Sequence, residues 1–105
     1  MSEPAGWNSV LAMSSPWTSA LRTKVLVTTS ATPLPTTPLD NRKGLYVFNP
    51  GTVIVYLAPS SDVNTTNEDQ LFPKQGKFLP ASDAVTIYGI VATGSVTLTV
   101  WEYAT

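Results

Sequence analysis

Between Leu21 and Thr29 the residues alternate. Leu21, Thr23, Val25 and Val27 fall on one face of an extended chain, and Arg22, Lys24, Leu26 and Thr28 fall on the other. A period of two predicts a strand with one wetter face. Two denser apolar runs, Leu45 to Phe48 and Thr52 to Leu57, flank Asn49-Pro50-Gly51. Proline presets φ, and glycine accepts the positive φ that the third position of a type II turn requires. The pattern therefore predicts a hairpin whose strands are apolar on both faces, one face meeting the core and the other covered by something else. A second hairpin is predicted where "AVTIYGIVA" and "SVTLTVWEY" meet around Thr93-Gly94. In its last strand Val96, Leu98 and Val100 alternate with Ser95, Thr97 and Thr99, which places Trp101 and Tyr103 on the threonine side.

The segments between these runs lack periodicity. "SATPLPTTPLDNRKG" holds three prolines, and proline lacks the amide that a sheet interior uses, so this stretch reads as an extended crossing from one sheet to the other. The tract after Leu57, "APSSDVNTTNEDQ", reads as loop, because Ser, Asn and Asp side chains compete for the local backbone. Pro73 to Gly76 reads as a turn, and Lys77 to Leu79 as a short strand. Residues 1–20 are small and polar, broken by Pro4 and Pro16, with Trp7, Val10, Leu11, Met13 and Trp17 as isolated apolar anchors. They read as an extended N-terminal arm that packs on its own domain or docks on another subunit. The expected fold is all-β: a small antiparallel β-sandwich or jelly-roll-like barrel of five to seven strands, spanning residues 21–105.

Composition narrows the chemistry. With 105 residues the chain has length for one core. Charged residues make up 12%, about half the usual share, so Ser, Thr and Asn must supply the wetting. The net charge of −1 and six scattered Lys and Arg give no basic footprint for nucleic acid. The apolar run Val53 to Ala58 is far too short to cross a bilayer. No leader peptide is evident at the N-terminus, and synthesis in the cytoplasm is the expectation. Histidine and cysteine are absent, which removes the commonest general base, metal ligand and nucleophile together. The expectation is no enzyme, no cofactor and no metal. Asp62, Asn64, Asn67, Glu68 and Asp69 offer oxygen ligands of the kind calcium takes, but their spacing matches no EF-hand loop, and a solvated loop is the reading adopted. "NPGTV" is a turn and no phosphate loop.

Three stretches, "RKGLYVFNPGTVIVYLAPSSDVNTTN", "LFPKQGKFLP" and "TIYGIVATGSVTLTVWE", together resemble a pattern found among small structural proteins of tailed bacteriophages. The resemblance covers about residues 42 to 102, with Arg42, Tyr46, Asn49, Tyr56, Pro73, Tyr88, Gly89 and Glu102 at matching places. It departs at the turn, where Lys74-Gln75-Gly76 replaces an immediate glycine after Pro73. It implies a virion protein: a capsid decoration (cement) protein on the major capsid protein, or a neck, baseplate or fibre-adaptor subunit. It also implies a homo-oligomer, with a trimer favoured. The interface expected from the residues is the arm's Trp7, Leu11, Met13 and Trp17 together with the strand aromatics Tyr46, Phe48, Tyr56, Trp101 and Tyr103. The rival reading is a carbohydrate-binding module that uses the Tyr and Trp faces and the 60–70 loop.

Overall fold

The computed structural model describes residues 18–66 and 68–105. Eight strands follow in order: β1 (Ser19–Val27), β2 (Thr32–Pro33), β3 (Arg42–Phe48), β4 (Val55–Ala58), β5 (Asp69–Leu71), β6 (Gly76–Leu79), β7 (Tyr88–Val91) and β8 (Val96–Ala104). They form two four-stranded antiparallel sheets, a long one in the order β1-β8-β3-β6 and a short one in the order β2-β7-β4-β5. That interleaving is the order of a jelly roll, an eight-stranded sandwich of two Greek keys. The chain is all-β, and among the described residues there is no helix. The count is one above the expected maximum of seven, and the eight include β2 and β5, of two and three residues, which lie in stretches the sequence showed as crossing and loop.

The core lies between the sheets. Val27, Leu45, Val47, Val96, Leu98 and Val100 face it from the long sheet, and Leu34, Val55, Leu57, Leu71, Ile87 and Val91 from the short-sheet side. On β8 the even-numbered residues point inward, as the alternation predicts. On β1 the inward row is Thr23, Val25 and Val27, whereas Leu21 at the head of that row is 47% exposed.

Neither predicted hairpin forms. β3 pairs with β8 and β6, while β4 pairs with β7 and β5, so Asn49-Pro50-Gly51 carries the chain across the sandwich. The cause is Asn49, which is fully buried. Its Nδ2 donates to the carbonyls of Val53 (2.8 Å) and Leu71 (3.1 Å), and its Oδ1 accepts from Gly51 N at 2.9 Å. Its own amide donates to Gln75 O at 2.9 Å, and Lys74 N donates to its carbonyl at 2.7 Å. The side chain thus supplies the bonds that a hairpin ladder would have supplied, and Gly51 is not among the residues of positive φ.

The type II turn lies elsewhere. Gln75 N donates to Phe72 O at 3.0 Å, with Pro73 at the second position and Lys74 at the third with φ of 65°. The Lys74 ammonium also donates to the carbonyl of Pro50, which locks this turn to the Asn49 corner. Likewise β7 and β8 lie in different sheets, although Gly94 between them takes the expected positive φ (72°). Among the described residues the consecutive strands that do pair are β4 and β5, closed by the polar tract after Ala58.

Residues 1–17 of the expected arm, with Trp7, Leu11, Met13 and Trp17, lie outside the described residues. Its last residues enter the sheet: Thr18 N donates to Ala104 O at 2.8 Å, and Ser19 and Ala20 pair with Ala104 and Tyr103.

Candidate functional site

Since Leu45 and Val47 point into the core, Gly44, Tyr46 and Phe48 must point out of the long sheet. By the same alternation Thr97, Thr99, Trp101 and Tyr103 point outward from β8. The register aligns Arg22, Trp101, Tyr46 and Phe78 in one row across the four strands. Phe48 and Thr99 form the next row with Lys24 and Gly76. The outer face of the long sheet is thus a band of aromatic rings beside two cations. Phe78 is 43% exposed, and Tyr46, Phe48 and Trp101 are half-buried.

Two glycines set the lie of the rings. A methyl group on Gly76 would overlap the Tyr46 hydroxyl, and one on Gly44 would overlap the Phe78 ring. Each ring therefore lies down over a glycine on the neighbouring strand, which flattens the band against the sheet. Tyr103 packs beside Phe78, with ring centroids 6.5 Å apart at 39°.

Tyr103 is 5% exposed, and burial raises its hydroxyl pKa above the ordinary 10.0, with Tyr46 adding to the rise. The folded state holds this proton more tightly than the unfolded chain does. Its contribution to stability is therefore whole below pH 10.0 and falls away as pH climbs through the folded value. An alkaline absorbance titration should show one tyrosine ionising late, and Tyr46→Phe should reduce that delay without abolishing it.

Of the expected contact residues, Tyr46, Phe48, Trp101 and Tyr103 share this face. Tyr56 does not. It pairs with Ile90 and Gln70 on the outer face of the short sheet, on the opposite side of the molecule. Phe78 was missed, because Lys77 to Leu79 gave no sign of which strand it would join. The threonine-side placement of Trp101 and Tyr103 was the signal that did find the face.

The most reactive-looking pair is sealed away. Arg42 and Glu102, 1% and 0% exposed, form an ion pair at 2.9 Å. Arg42 Nε donates to Ala81 O (3.1 Å), and Nη2 donates to Ser82 O (2.8 Å) and Val85 O. Leu39 N donates to Glu102 Oε2 at 2.9 Å, while Oε1 has no partner among the described residues. No substrate reaches these atoms. The pair staples the 39–42 and 81–85 segments to β8.

The other candidate chemistry is sparse. A pocket of about 60 Å³ lies between Leu57, Ala58, Pro59, Asp69, Leu79 and Ile87, well below the several hundred Å³ that small-molecule sites occupy. Among the described residues no group of three acids gathers as a metal site. In the polar loop Thr66 N donates to Asn64 Oδ1 (2.8 Å), Asn64 Nδ2 donates to Glu68 Oε2 (3.4 Å), and Asp69 faces Lys77 at 3.8 Å. Asn67 lies outside the described residues.

No protein-family model, curated protein or solved structure matches this chain. What the site can do rests on its own geometry. A flat aromatic band with a cationic side has the composition that interface centres favour, rings and Arg.

Proposed function

We propose that this is a structural protein of a tailed-phage virion, a decoration protein that sits on the head and stabilises the shell through the outer face of its long sheet. The observation that carries the reading is the row Arg22-Trp101-Tyr46-Phe78, a cation and three rings in line across the outer face of the long sheet, with Phe78 exposed and Tyr46 and Trp101 half-buried. A monomer gains nothing from leaving those rings wet, whereas a second surface closing on them gains roughly 25 cal/mol for each Å² of apolar area removed from water. Attachment stabilises the assembled shell because the contact exists only there. The sequence resemblance supplies the virion, the major capsid protein as partner and the trimeric preference. The jelly-roll order is compatible with it, being common among viral capsid domains, but fold alone does not fix function.

Imaging the particle that carries the protein tests this. Many copies spread over the head support decoration. A single ring at one vertex or on the tail moves the protein to a neck, baseplate or fibre-adaptor position. A second reading, a carbohydrate-binding module, draws on the rings lying flat over Gly44 and Gly76, since sugars stack on level aromatic faces. A glycan array on which the protein binds nothing removes it.

A further inference from the structure

The two sheets differ at their edges. The short sheet ends in β2 and β5, of two and three residues, and one side of the long sheet ends in β6, of four. Brief edge strands offer little for another chain to pair with. β1 is the exception. It has nine residues, lies at the outside of the long sheet, and among the described residues no strand pairs with its free edge. Every second backbone amide and carbonyl along it faces away from β8.

The side chains of β1 indicate what pairs there. On the inward side Leu21 is 47% exposed and Thr23 and Val25 are half-buried, so the core runs to this edge and stops open. On the outward side stand Arg22 and Lys24, both exposed, and neither pairs with a carboxylate among the described residues. A second copy of β1 is a poor occupant. Antiparallel pairing about a two-fold axis sets opposite residues on the same face. Centred on Thr23 it puts Arg22 against Lys24 twice; centred on Arg22 or Lys24 it puts each against itself. Like charges directly opposite are destabilising in every register with near-complete overlap.

We propose that the free edge of β1 takes up an extended strand from a partner protein, one that alternates apolar residues with carboxylates. The apolar residues cover Leu21, Thr23 and Val25 and extend the core by one strand. The carboxylates, two residues apart, face Arg22 and Lys24. Main-chain bonds supply the affinity, as in other strand additions, and the two cations supply the choice of sequence. This edge borders the aromatic face and shares Arg22 and Lys24 with it, but the inference does not rest on the virion reading.

The test uses the full chain, isotopically labelled, and two blocked nine-residue peptides, one alternating valine with glutamate and one alternating valine with lysine. Amide hydrogen exchange is followed by NMR. The glutamate peptide is expected to slow exchange at alternate β1 amides, to bind about tenfold more tightly than the lysine peptide, and to weaken with salt. R22E/K24E reverses the preference, and R22Q/K24Q, which only removes charge, erases it. The proposal is overturned if neither peptide slows exchange, if both do so equally, or if the preference survives R22E/K24E. It is also overturned if those amides already exchange slowly in the free protein, because the edge is then occupied by this chain's own arm or by another copy.

Discussion

Arg42→Met lowers the unfolding free energy by about 3–5 kcal/mol, the cost of leaving a buried charge without its partner. Four hydrogen bonds are lost at once. Glu102 keeps only the amide of Leu39, and the carbonyls of Ala81, Ser82 and Val85 lose their donor. Against a total stability of roughly 5–15 kcal/mol for a domain of this kind, that is enough to unfold a sizeable share of the protein near physiological temperature. Urea denaturation followed by far-UV circular dichroism measures it. Adding Glu102→Leu should recover part of the loss and not all of it. The double variant removes the stranded carboxylate, yet the three carbonyls that Arg42 capped remain without it. A double-mutant cycle then separates the charge pair from the capping. Glu102→Gln should cost less than Arg42→Met, because an amide oxygen still accepts from Leu39 and Arg42.

Asn49→Ala is expected to cost at least about 3 kcal/mol, since it strands three buried or half-buried backbone groups at about 1–3 kcal/mol for each group left unpaired. Those groups are Val53 O, Leu71 O and Gly51 N. Asn49→Asp is the sharper comparison. It keeps the acceptor for Gly51 and loses both donors, and it places a carboxylate against two carbonyls in a fully buried site. Denaturation should therefore rank Asp below Ala in stability at neutral pH. The corner also fixes the Pro73-Lys74 turn, so hydrogen exchange at Lys74 and Gln75 should speed up in both variants.

These residues show what the sequence disclosed and what it hid. The faces of the strands were legible. Val96, Leu98 and Val100 sit in the core and Trp101 and Tyr103 outside it, as alternation requires, and Gly94 takes the positive φ its turn suggested. Sheet membership was not legible. A Pro-Gly pair between two apolar runs is a local signal for a hairpin, but the partners of the Asn49 side chain and amide include Leu71 and Gln75, far along the chain. A jelly roll sends most consecutive strands to opposite sheets, and no local pattern records that. The Arg42–Glu102 pair spans 60 residues and was also unseen. One sign was available: the alternation that puts Val96, Leu98 and Val100 inward puts Glu102 inward too, where a carboxylate needs a cation.

The positions that carry the phage resemblance have mostly scaffold roles. Arg42 and Glu102 form the buried pair, Asn49 makes the corner, and Pro73 opens the turn. Gly89 leaves room for Leu34 and Val55 to meet over β7. The resemblance thus bears on how the sandwich is held together more than on where it sits. Its aromatic face bears on attachment, and there Tyr46 alone belongs to both sets.

Hydroxyl-radical footprinting of the protein free in solution and on the phage particle proposed to carry it tests the proposed attachment face directly. The account predicts that Tyr46, Phe48, Phe78 and Trp101 are modified in the free protein and shielded on the particle, while Tyr56 and Tyr88 on the short sheet keep their reactivity. Equal modification of the four long-sheet rings in both states contradicts it.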